Sequence, residues 1–271
     1  MTAPNEAVTV ECALSITYPQ INSAVSVSVV AVIPARYSST RLPGKALALI
    51  GGVPMIVRVW RQARQARIAE RVIVATDDER ILHAMGEAGG EVLMTSPNHQ
   101  SGTDRVAEVA ERVKADIYIN VQGDQPFIAP ADLEALAAPM IAEPELAMAT
   151  LATPITDADE WHNPNKVKVV CGAGGDALYF SRSPIPFARD NRAVPPNALR
   201  HIGVYAYRRA FLLKFASLEP GVLEQIERLE QLRALERGYR IRVVASIAPS
   251  LEVDTPEDLA QANAAARLVD V

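Results

Sequence analysis

The chain has 271 residues, of which 49% are hydrophobic and 22% are charged, and its formal net charge is -5. No apolar run approaches the roughly 20 residues that a helix needs to cross a bilayer, which argues against an integral membrane protein. The negative net charge gives no overall attraction to nucleic acid or to anionic lipid. An anionic ligand must therefore be held by a local group of cations.

The two cysteines, Cys12 and Cys171, are too few for a disulfide framework, and the sequence has no Cys-x-x-Cys spacing. This content favours a reducing compartment, and we expect a cytoplasmic protein. Residues 1–28 contain no Lys or Arg, which argues against a secretory or mitochondrial leader. We interpret them as a flexible extension of one domain at 29–271, with an edge strand at 8–16 as the weaker alternative.

Apolar strands and helices alternate from residue 27 onward. A β-branched run at 27–33 is typical of a buried central strand, and it ends at Pro34 because proline cannot donate to a neighbouring strand. Pro54 begins a helical pattern of apolar residues. The next predicted elements are strand 72–75, helix 79–88, strand 92–94, helix 103–113 and strand 117–121. This alternation predicts a mainly parallel, doubly wound sheet of the α/β class, with helices on both faces.

The pattern changes after Pro130, where strands follow one another with little helix between them. They are predicted at 148–153, 167–170, 178–181 and 202–207. We expect them to form a small antiparallel extension of the sheet. The proline-rich segment at 183–196 predicts a loop that extends as an arm, and two further helices are predicted at 222–236 and 256–268, flanking a strand at Ile241–Ala245.

Three cations, Arg36, Arg41 and Lys45, follow the first strand within one loop. Ligands of open α/β sheets bind at the carboxyl ends of the strands, so this loop lies where a binding crevice forms. The cations could grip a polyphosphate, although the loop matches neither Gly-x-x-x-x-Gly-Lys-Ser/Thr nor Gly-x-Gly-x-x-Gly. The alternative interpretation is three solvated surface cations.

Two aspartates are candidate metal ligands. Asp124 follows the strand at 117–121, and Mg²⁺ needs only one or two protein carboxylates. The alternative is that Asp124 only begins a turn. For Asp254 the alternative is stronger, because Thr255 and Asp258 make a capping box and Asp254 could simply complement the helix dipole.

Eight strings stand in one order along the chain and cover nearly everything from Val29 onward. They are IPARYSSTRLPGK at 33–45, HQSGTD at 99–104, NVQGD at 120–124, NPNKVK at 163–168, YFSR at 179–182, RHIGVY at 200–205, LEQLR at 229–233 and VDTPED at 253–258. Together they resemble the family of 3-deoxy-manno-octulosonate (KDO) cytidylyltransferases. The likeness is specific because eight separate strings agree.

The resemblance implies a nucleotidyltransferase that joins CTP to KDO with Mg²⁺, releases pyrophosphate, and makes CMP-KDO for lipopolysaccharide synthesis. It also implies a homodimer, for which we take the region around 183–210 as the dimerisation arm. The implied catalytic positions are Arg36, Lys45, Asp124 and Asp254, with both aspartates on the metal. The positions implied for CTP are Pro34, Ala35, Arg36, Arg41, Lys45, Gln100, Ser101 and Gly102. Those implied for KDO are Gln122, Arg182, His201, Tyr205, Glu230 and Gln231.

For the positions implied for KDO, the residues alone leave other roles open. His201 could be a neutral partner at a strand end, and Tyr205 could serve packing only. Glu230 borders a predicted buried stripe of the helix at 222–236 and could equally belong to a solvated face. That stripe is Leu223, Ile226, Leu229 and Leu232.

Two positions depart from the family's pattern. Gln125 stands where an acidic residue is expected after the Gly-Asp pair, and Ser250-Leu-Glu252 replaces a glycine-containing run. Either departure could change metal affinity or loop shape.

Other functions stay open from the sequence. The same reaction on 8-amino-KDO or another sugar acid is the nearest, since a hydroxyl-for-amine exchange changes few pocket contacts. The loop Tyr37-Ser-Ser-Thr-Arg-Leu argues against a CMP-sialic acid synthetase, which usually has a Gly-Ser-Lys type sequence there. A catalytically silent nucleotide-binding regulator is the alternative from a different class.

Overall fold

The computed structural model describes residues 27–39, 41–189, 193–248 and 251–269. The strands in these ranges are β1 Val29–Ala35, β2 Leu49–Ile50, β3 Val53–Pro54, β4 Arg71–Thr76, β5 Glu91–Met94, β6 Ile117–Asn120, β7 Met148–Pro154, β8 Lys168–Cys171, β9 Ala177–Ser181, β10 Leu199–Arg208 and β11 Ile241–Ala245. The α-helices are α1 Met55–Ala63, α2 Glu79–Glu87, α3 Gly102–Arg112, α4 Pro130–Ala142, α5 Ala158–His162, α6 Arg209–Ala216, α7 Val222–Glu227, α8 Leu232–Glu236 and α9 Pro256–Val269. A 3-10 helix covers Lys45–Leu47.

Within the described ranges, nine strands form one mixed sheet in the order β11-β7-β10-β6-β1-β4-β5, with β8 added beside β10 and β9 beside β8. β1 pairs in parallel with β4 and β6, and β4 pairs in parallel with β5. β10 is antiparallel to β6, β7 and β8, whereas β11 is parallel to β7. The predicted parallel sheet with an antiparallel extension is confirmed.

The central strand β1 is buried on both faces of the sheet. Val29, Ala31 and Ile33 pack into one hydrophobic layer, and Val30 and Val32 pack into the other. Successive side chains of a strand point to opposite faces, so a continuous apolar run supplies both layers. The strand continues past its predicted end at Pro34, since Pro34 and Ala35 remain in register with Ala75 and Thr76 of β4.

Two helices were not predicted: α4, which follows Pro130 immediately, and α6, which follows β10. Between the strands predicted at 148–207 the described residues form little helix, as expected, because only the short α5 lies there. Pro130 occupies the first helical position, where a missing N–H costs nothing. Most of α4 is Ala, Leu, Met and Ile, and it packs against β7 and β10, so its sequence has no clear polar face. A helix that is apolar on nearly all sides lacks the amphipathic period that reveals helices in a sequence.

The prediction of a single helix at 222–236 is wrong. It is divided into α7 and α8, and Arg228 between them has the left-handed φ of 56° that ends a helix. The predicted buried stripe is accordingly half correct. Leu229 and Leu232 are buried, whereas Leu223 and Ile226 are exposed.

The predicted edge strand at 8–16 and Cys12 lie outside the described residues, as does most of the predicted extension. Of the extension's last residues, Ser28 is fixed to the domain, since its backbone N and its Oγ each donate to Asp116 at 2.8 Å. None of the helices in the described part of the chain has the length and apolar character that crossing a membrane requires.

Candidate active site

A cleft of about 370 Å³ opens at the carboxyl ends of β1 and β6, which lie side by side in parallel. We call it the strand-end cleft. Its volume falls in the range of small-molecule sites. The predicted residues that line it are Pro34, Ala35, Arg36, Arg41, Lys45, Gln100, Ser101, Gly102, Gln122, Asp124 and Asp254. The structure therefore gathers every position implied for CTP, catalysis and metal into one cavity.

Lys45 lies between the two candidate metal ligands. Its Nζ donates to Oδ2 of Asp124 at 2.7 Å and to Oδ1 of Asp254 at 2.9 Å. Burial lowers the pKa of Lys45, but the two carboxylates raise it by more, so the net pKa is above its usual value. Lys45 is therefore a firmly held cation at neutral pH.

Asp254 combines the two interpretations that the sequence left open. Asp258 Oδ2 accepts from the backbone N of Asp254 at 3.0 Å and of Thr255 at 2.9 Å, and the N of Asp258 donates to Thr255 Oγ1. The predicted capping box is therefore present. The side chain of Asp254 nevertheless faces the cleft, where it also pairs with Arg41 at 3.0 Å. The cap thus holds the backbone that presents this carboxylate.

The two carboxylate segments are joined directly through their backbones. The N–H of Val253 donates to the carbonyl of Asp124 at 3.0 Å. Gly123 permits a second close approach beside it, because a Cβ there would lie 3.1 Å from the carbonyl oxygen of Pro34. Three loops that are distant in sequence therefore meet within hydrogen-bond distance.

The residues present suit a hard divalent cation. Asp124 and Asp254 already share one cation, the Lys45 ammonium, so both carboxylates converge on one position. The described residues hold no group of three or more His, Cys, Asp or Glu side chains that could bind a metal. Mg²⁺ usually takes one or two protein carboxylates and completes its shell with water and substrate phosphate. An acidic pair in a polar cleft fits that preference.

The N-terminus of α3 forms another wall of the strand-end cleft. Ser101 caps the helix, with its Oγ accepting from Asp104 N at 3.1 Å and its own N donating to Asp104 Oδ2 at 2.9 Å. A Cβ at Gly102 would lie 3.2 Å from Cγ of Pro34, so glycine allows the helix to approach the end of β1. This packing places the segment 100–102 opposite the cationic loop.

A second cavity of about 190 Å³, which we call the side pocket, opens beside β10. It is lined by Asn165, Lys166, Val167, Arg200, His201, Gly203, Tyr205, Leu229, Gln231 and Glu252. A Cβ at Gly203 would lie 3.9 Å from Cγ of Gln122, which lines the strand-end cleft. The two cavities therefore adjoin at Gln122. Three of the positions implied for KDO, His201, Tyr205 and Gln231, line the side pocket.

Gln231 and Tyr205 form a polar pair in the side pocket. The hydroxyl of Tyr205 donates to Oε1 of Gln231 at 3.3 Å. Burial, with Glu230 and Glu252 nearby, raises the pKa of Tyr205, so the phenol stays protonated. Among the residues that the structure describes, Nε2 of Gln231 is buried and has no hydrogen-bond partner. Buried donors in proteins are nearly always paired, so this amide points to a ligand acceptor.

His201 is buried between the rings of Phe180 and Tyr205, with centroids at 5.0 and 5.4 Å. Its Nε2 lies 2.9 Å from Oγ1 of Thr150, whose hydroxyl also donates to the carbonyl of Val204. Burial lowers the pKa of His201 to about 3. The ring is therefore neutral at physiological pH, so a contact with a ligand here would be a neutral hydrogen bond.

Glu230 and Arg182 do not line the side pocket. Glu230 faces α3, where Thr103 Oγ1 donates to its Oε2. Burial raises its pKa, and the hydrogen bond from Thr103 and the charge of Arg233 oppose this effect. Arg182 donates to the carbonyls of Glu227, Pro164 and Arg228. A direct sugar contact stays a prediction for both residues.

The sequence did not single out three charged residues of the side pocket: Lys166, Arg200 and Glu252. Lys166 and Arg200 belong to the strings NPNKVK and RHIGVY, and Glu252 belongs to a departure from the pattern. A signal was present in each case. What the sequence lacked was the tertiary arrangement: β10 pairs with β7 and β8, which places Arg200, and the cavity beside it is completed by Lys166 before β8 and Glu252 before α9.

The comparisons with known proteins agree with one another on the family of this chain. A family model described as Cytidylyltransferase matches residues 30–241. The 3-deoxy-manno-octulosonate cytidylyltransferase of Syntrophotalea carbinolica is 52% identical over 244 residues, covering 88% of this chain and 98% of that protein. The protein of the same name from Geobacter metallireducens is 51% identical over 240 residues, covering 85% and 94%. A solved structure of CMP:2-keto-3-deoxy-manno-octonic acid synthetase complexed with CTP has a TM-score of 0.85 and 46% identity, covering 90% of this chain and 100% of that one.

These likenesses, together with a cation-lined cleft at the strand ends, define the class of protein as a nucleotidyltransferase. Within that class, the chain belongs to the family of 3-deoxy-manno-octulosonate cytidylyltransferases. The family resemblance carried by the eight strings is thereby confirmed.

Proposed function

We propose that the protein transfers CMP from CTP to the anomeric C2 hydroxyl of KDO and releases pyrophosphate. The product, CMP-KDO, is an activated sugar for lipopolysaccharide synthesis. The observation that carries the proposal is the convergence of Lys45, Asp124 and Asp254 in the strand-end cleft, which adjoins the side pocket at Gln122. One cavity suits a metal-bound nucleotide and the other suits a small polar acceptor.

The cationic loop would bind the triphosphate. Lys45, Arg36 and Arg41 line one side of the strand-end cleft, and charged groups placed in advance neutralise phosphate better than mobile solvent does. Lys45 would leave the carboxylates and donate to phosphate oxygens. The opposite wall, at 100–102, would contact the base together with the backbone of Pro34 and Ala35.

Asp124 and Asp254 would hold Mg²⁺, which when bound supplies Lewis-acid stabilisation of the charge that develops on the transferred phosphoryl group. The protein's own contribution is mainly positioning. Fixed geometry between two reactants can lower a barrier by roughly 7–11 kcal/mol. Gln122, at the junction of the two cavities, would keep the acceptor hydroxyl beside the nucleotide.

The side pocket would bind the sugar acid. Its cations, Lys166 and Arg200, face an acceptor that carries a carboxylate, and the Nε2 of Gln231 offers a donor. Arg182, which the sequence suggested for the carboxylate, would first have to release three carbonyls. Lys166 and Arg200 line the pocket and Arg182 does not, which favours Lys166 and Arg200 for the carboxylate contact, with the Nε of Arg200 also 3.1 Å from Glu160.

The proposal includes a homodimer in the cytoplasm. Two apolar side chains near the proposed arm are highly exposed, Phe187 at 85% and Ile226 at 73%. Their segments are tied together, since Ser181 Oγ and Arg182 N both donate to the carboxylate of Glu227. Large exposed apolar side chains are typical of surfaces that a partner covers. The cytoplasmic location follows from the cysteine content and from CTP as the nucleotide.

The experiment that tests the reaction is a panel of nucleoside triphosphates, CTP, UTP, ATP and GTP, crossed with KDO, 8-amino-KDO and N-acetylneuraminate. Release of pyrophosphate is measured with Mg²⁺ present. We expect release with CTP and KDO, and its loss in Asp124→Asn. Preference for 8-amino-KDO would reassign the acceptor. Binding of CTP without release from any pair would instead support a regulator.

A further inference from the structure

A group of three side chains lies at the wall of the side pocket: Glu252, and Gln125 and Lys166, which both contact it. Nε2 of Gln125 donates to Oε1 of Glu252 at 3.2 Å, and Nζ of Lys166 lies 3.7 Å from Oε2 of Glu252. Gln125 is 1% exposed, whereas 30% of the Glu252 side chain remains exposed. The amide therefore holds the carboxylate from the protein side and leaves part of it open to the pocket.

This group lies where the side pocket meets the candidate metal ligands. Val253, next to Glu252, donates to the carbonyl of Asp124 at 3.0 Å, and Asp254 follows one residue later. Glu252 is thus a third carboxylate close to an acidic pair. The neighbouring carboxylates disfavour a further negative charge, and the cations of the side pocket, Lys166 and Arg200, offset this repulsion at Glu252.

The two departures from the family pattern, at 125 and 252, contact each other across 127 positions of sequence. An acidic residue at 125 would bring two carboxylates to the distance at which an amide now donates. Gln125 supplies the N–H that Glu252 accepts, so the two positions are matched. This match indicates that the carboxylate of Glu252 has a role beyond its contact with Gln125.

We propose that Glu252 is a specificity-determining residue for the sugar acid, whose hydroxyl groups donate hydrogen bonds to its carboxylate. Gln125 is the positioning residue that keeps the carboxylate at the pocket wall. A carboxylate has about four acceptor positions, so the contacts with Gln125 and Lys166 leave capacity for a ligand. Lys166 and the Nε2 of Gln231 offer donors to the pocket, and Glu252 adds a charged acceptor for the hydroxyl groups of a polyol. The inference rests on the proposed function of the side pocket.

The first test compares Glu252→Gln with Glu257→Gln, a control with the same change at an exposed position of α9. We expect Glu252→Gln to raise the KM for KDO about tenfold and to leave the KM for CTP unchanged, because a charged acceptor is replaced by a neutral one. Glu257→Gln leaves both KM values unchanged. An unchanged KM for KDO in Glu252→Gln would overturn the inference.

The second test separates a sugar contact from a merely structural pair. Gln125→Glu alone is expected to lower the melting temperature by opposing two carboxylates. The exchanged pair, Gln125→Glu with Glu252→Gln, restores a carboxylate and an amide with their positions reversed. We expect the exchange to recover most of the melting temperature while the KM for KDO stays raised. Recovery of both values would show that the pair is structural and would overturn the inference.

The wild-type protein distinguishes this failure from that of the proposed function. If it releases pyrophosphate from CTP and KDO while Glu252→Gln has an unchanged KM for KDO, only the role of Glu252 is refuted. If it releases none with any sugar acid, the proposed function and the inference fail together.

Discussion

At the scale of single residues, Asp254 contributes to the helix cap and to the strand-end cleft with different atoms. Its backbone N belongs to the capping box of α9, and its side chain pairs with Lys45 and Arg41. The capping motif was visible in the sequence, and it competed with the functional interpretation there. The structure shows that they are compatible, because a cap uses the backbone and leaves the carboxylate available.

Tyr205 gives a prediction for the side pocket. Tyr205→Phe removes the hydroxyl that donates to Gln231 and keeps the ring packed beside His201. Because the hydroxyl donates to Gln231, its oxygen is left to accept from the sugar acid. Loss of such a neutral hydrogen bond costs about 0.5–1.5 kcal/mol, so the KM for KDO should rise about threefold to tenfold, with no change in the KM for CTP. Steady-state kinetics checks this. Tyr239→Phe, outside both cavities, is the matched control, and an unchanged KM for KDO in Tyr205→Phe would return Tyr205 to a packing role.

His201 gives a prediction for stability against pH. Its pKa is lowered to about 3 in the folded state by burial, whereas an unfolded histidine has a pKa near 6.5. The unfolded state therefore binds the extra proton first, and stability falls as the pH drops below about 6.5. Between pH 7.5 and 5.5 this amounts to about 1 kcal/mol. Urea unfolding should show that loss reduced in His201→Gln, and equal pH dependence in both proteins would contradict it.

At the scale of elements, two helix N-termini form walls of the strand-end cleft. Capping boxes at Ser101 and at Thr255 fix where α3 and α9 begin. Both boxes were readable from local sequence, since Ser or Thr stands three residues before Asp. That both helices begin at the same cleft depends on the sheet. No local sequence pattern describes how the sheet is assembled.

Asp258 allows a test of whether the cap of α9 supports Asp254, one of the proposed metal ligands. Asp258→Ala removes the acceptor for the N–H groups of Asp254 and Thr255 and should lower the free energy of unfolding by about 1 kcal/mol. It should also raise the Mg²⁺ concentration that gives half-maximal rate, because Asp254 is held less firmly. Asp78→Ala, which removes the cap of α2, is the control with a similar loss of stability. If both variants need the same Mg²⁺ as the wild type, the cap has no part in the site.

Prediction of the elements succeeded where the hydrophobic period was clear and failed where it was absent. The parallel strands β1, β4 and β6 were found because each is a short apolar run in a region where such runs alternate with helical patterns. α4 was missed because it is apolar on most sides. The division between α7 and α8 was missed because Arg228 adopts a conformation that residues other than glycine rarely take.

At the scale of the whole molecule, the sheet brings together residues that are far apart in sequence. Lys45 lies 79 positions from Asp124 and 209 positions from Asp254, yet one ammonium contacts both carboxylates. The sequence predicted this convergence, because the first two positions follow strand ends and the family strings supply the third. Of the side pocket's lining, the family strings supplied His201, Tyr205 and Gln231, whereas the charged residues Lys166, Arg200 and Glu252 were not predicted.

The proposed homodimer gives a prediction for the intact protein. Light scattering coupled to size-exclusion chromatography should give twice the mass of one chain for the wild type. Phe187→Asp combined with Ile226→Asp should give the mass of one chain, since it places charges on the proposed contact surface. Leu82→Asp, at an exposed apolar position of α2, should leave the mass doubled. A wild type with the mass of one chain would refute the homodimer.

The most direct test of the central claim is anomalous diffraction from crystals grown with CTP and Mn²⁺ in place of Mg²⁺. The claim is that Lys45, Asp124 and Asp254 hold one metal-bound nucleotide. We predict an anomalous peak between the two carboxylates, with Nζ of Lys45 displaced from them onto phosphate oxygens. A metal peak elsewhere, with Lys45 still bridging Asp124 and Asp254, would contradict the account.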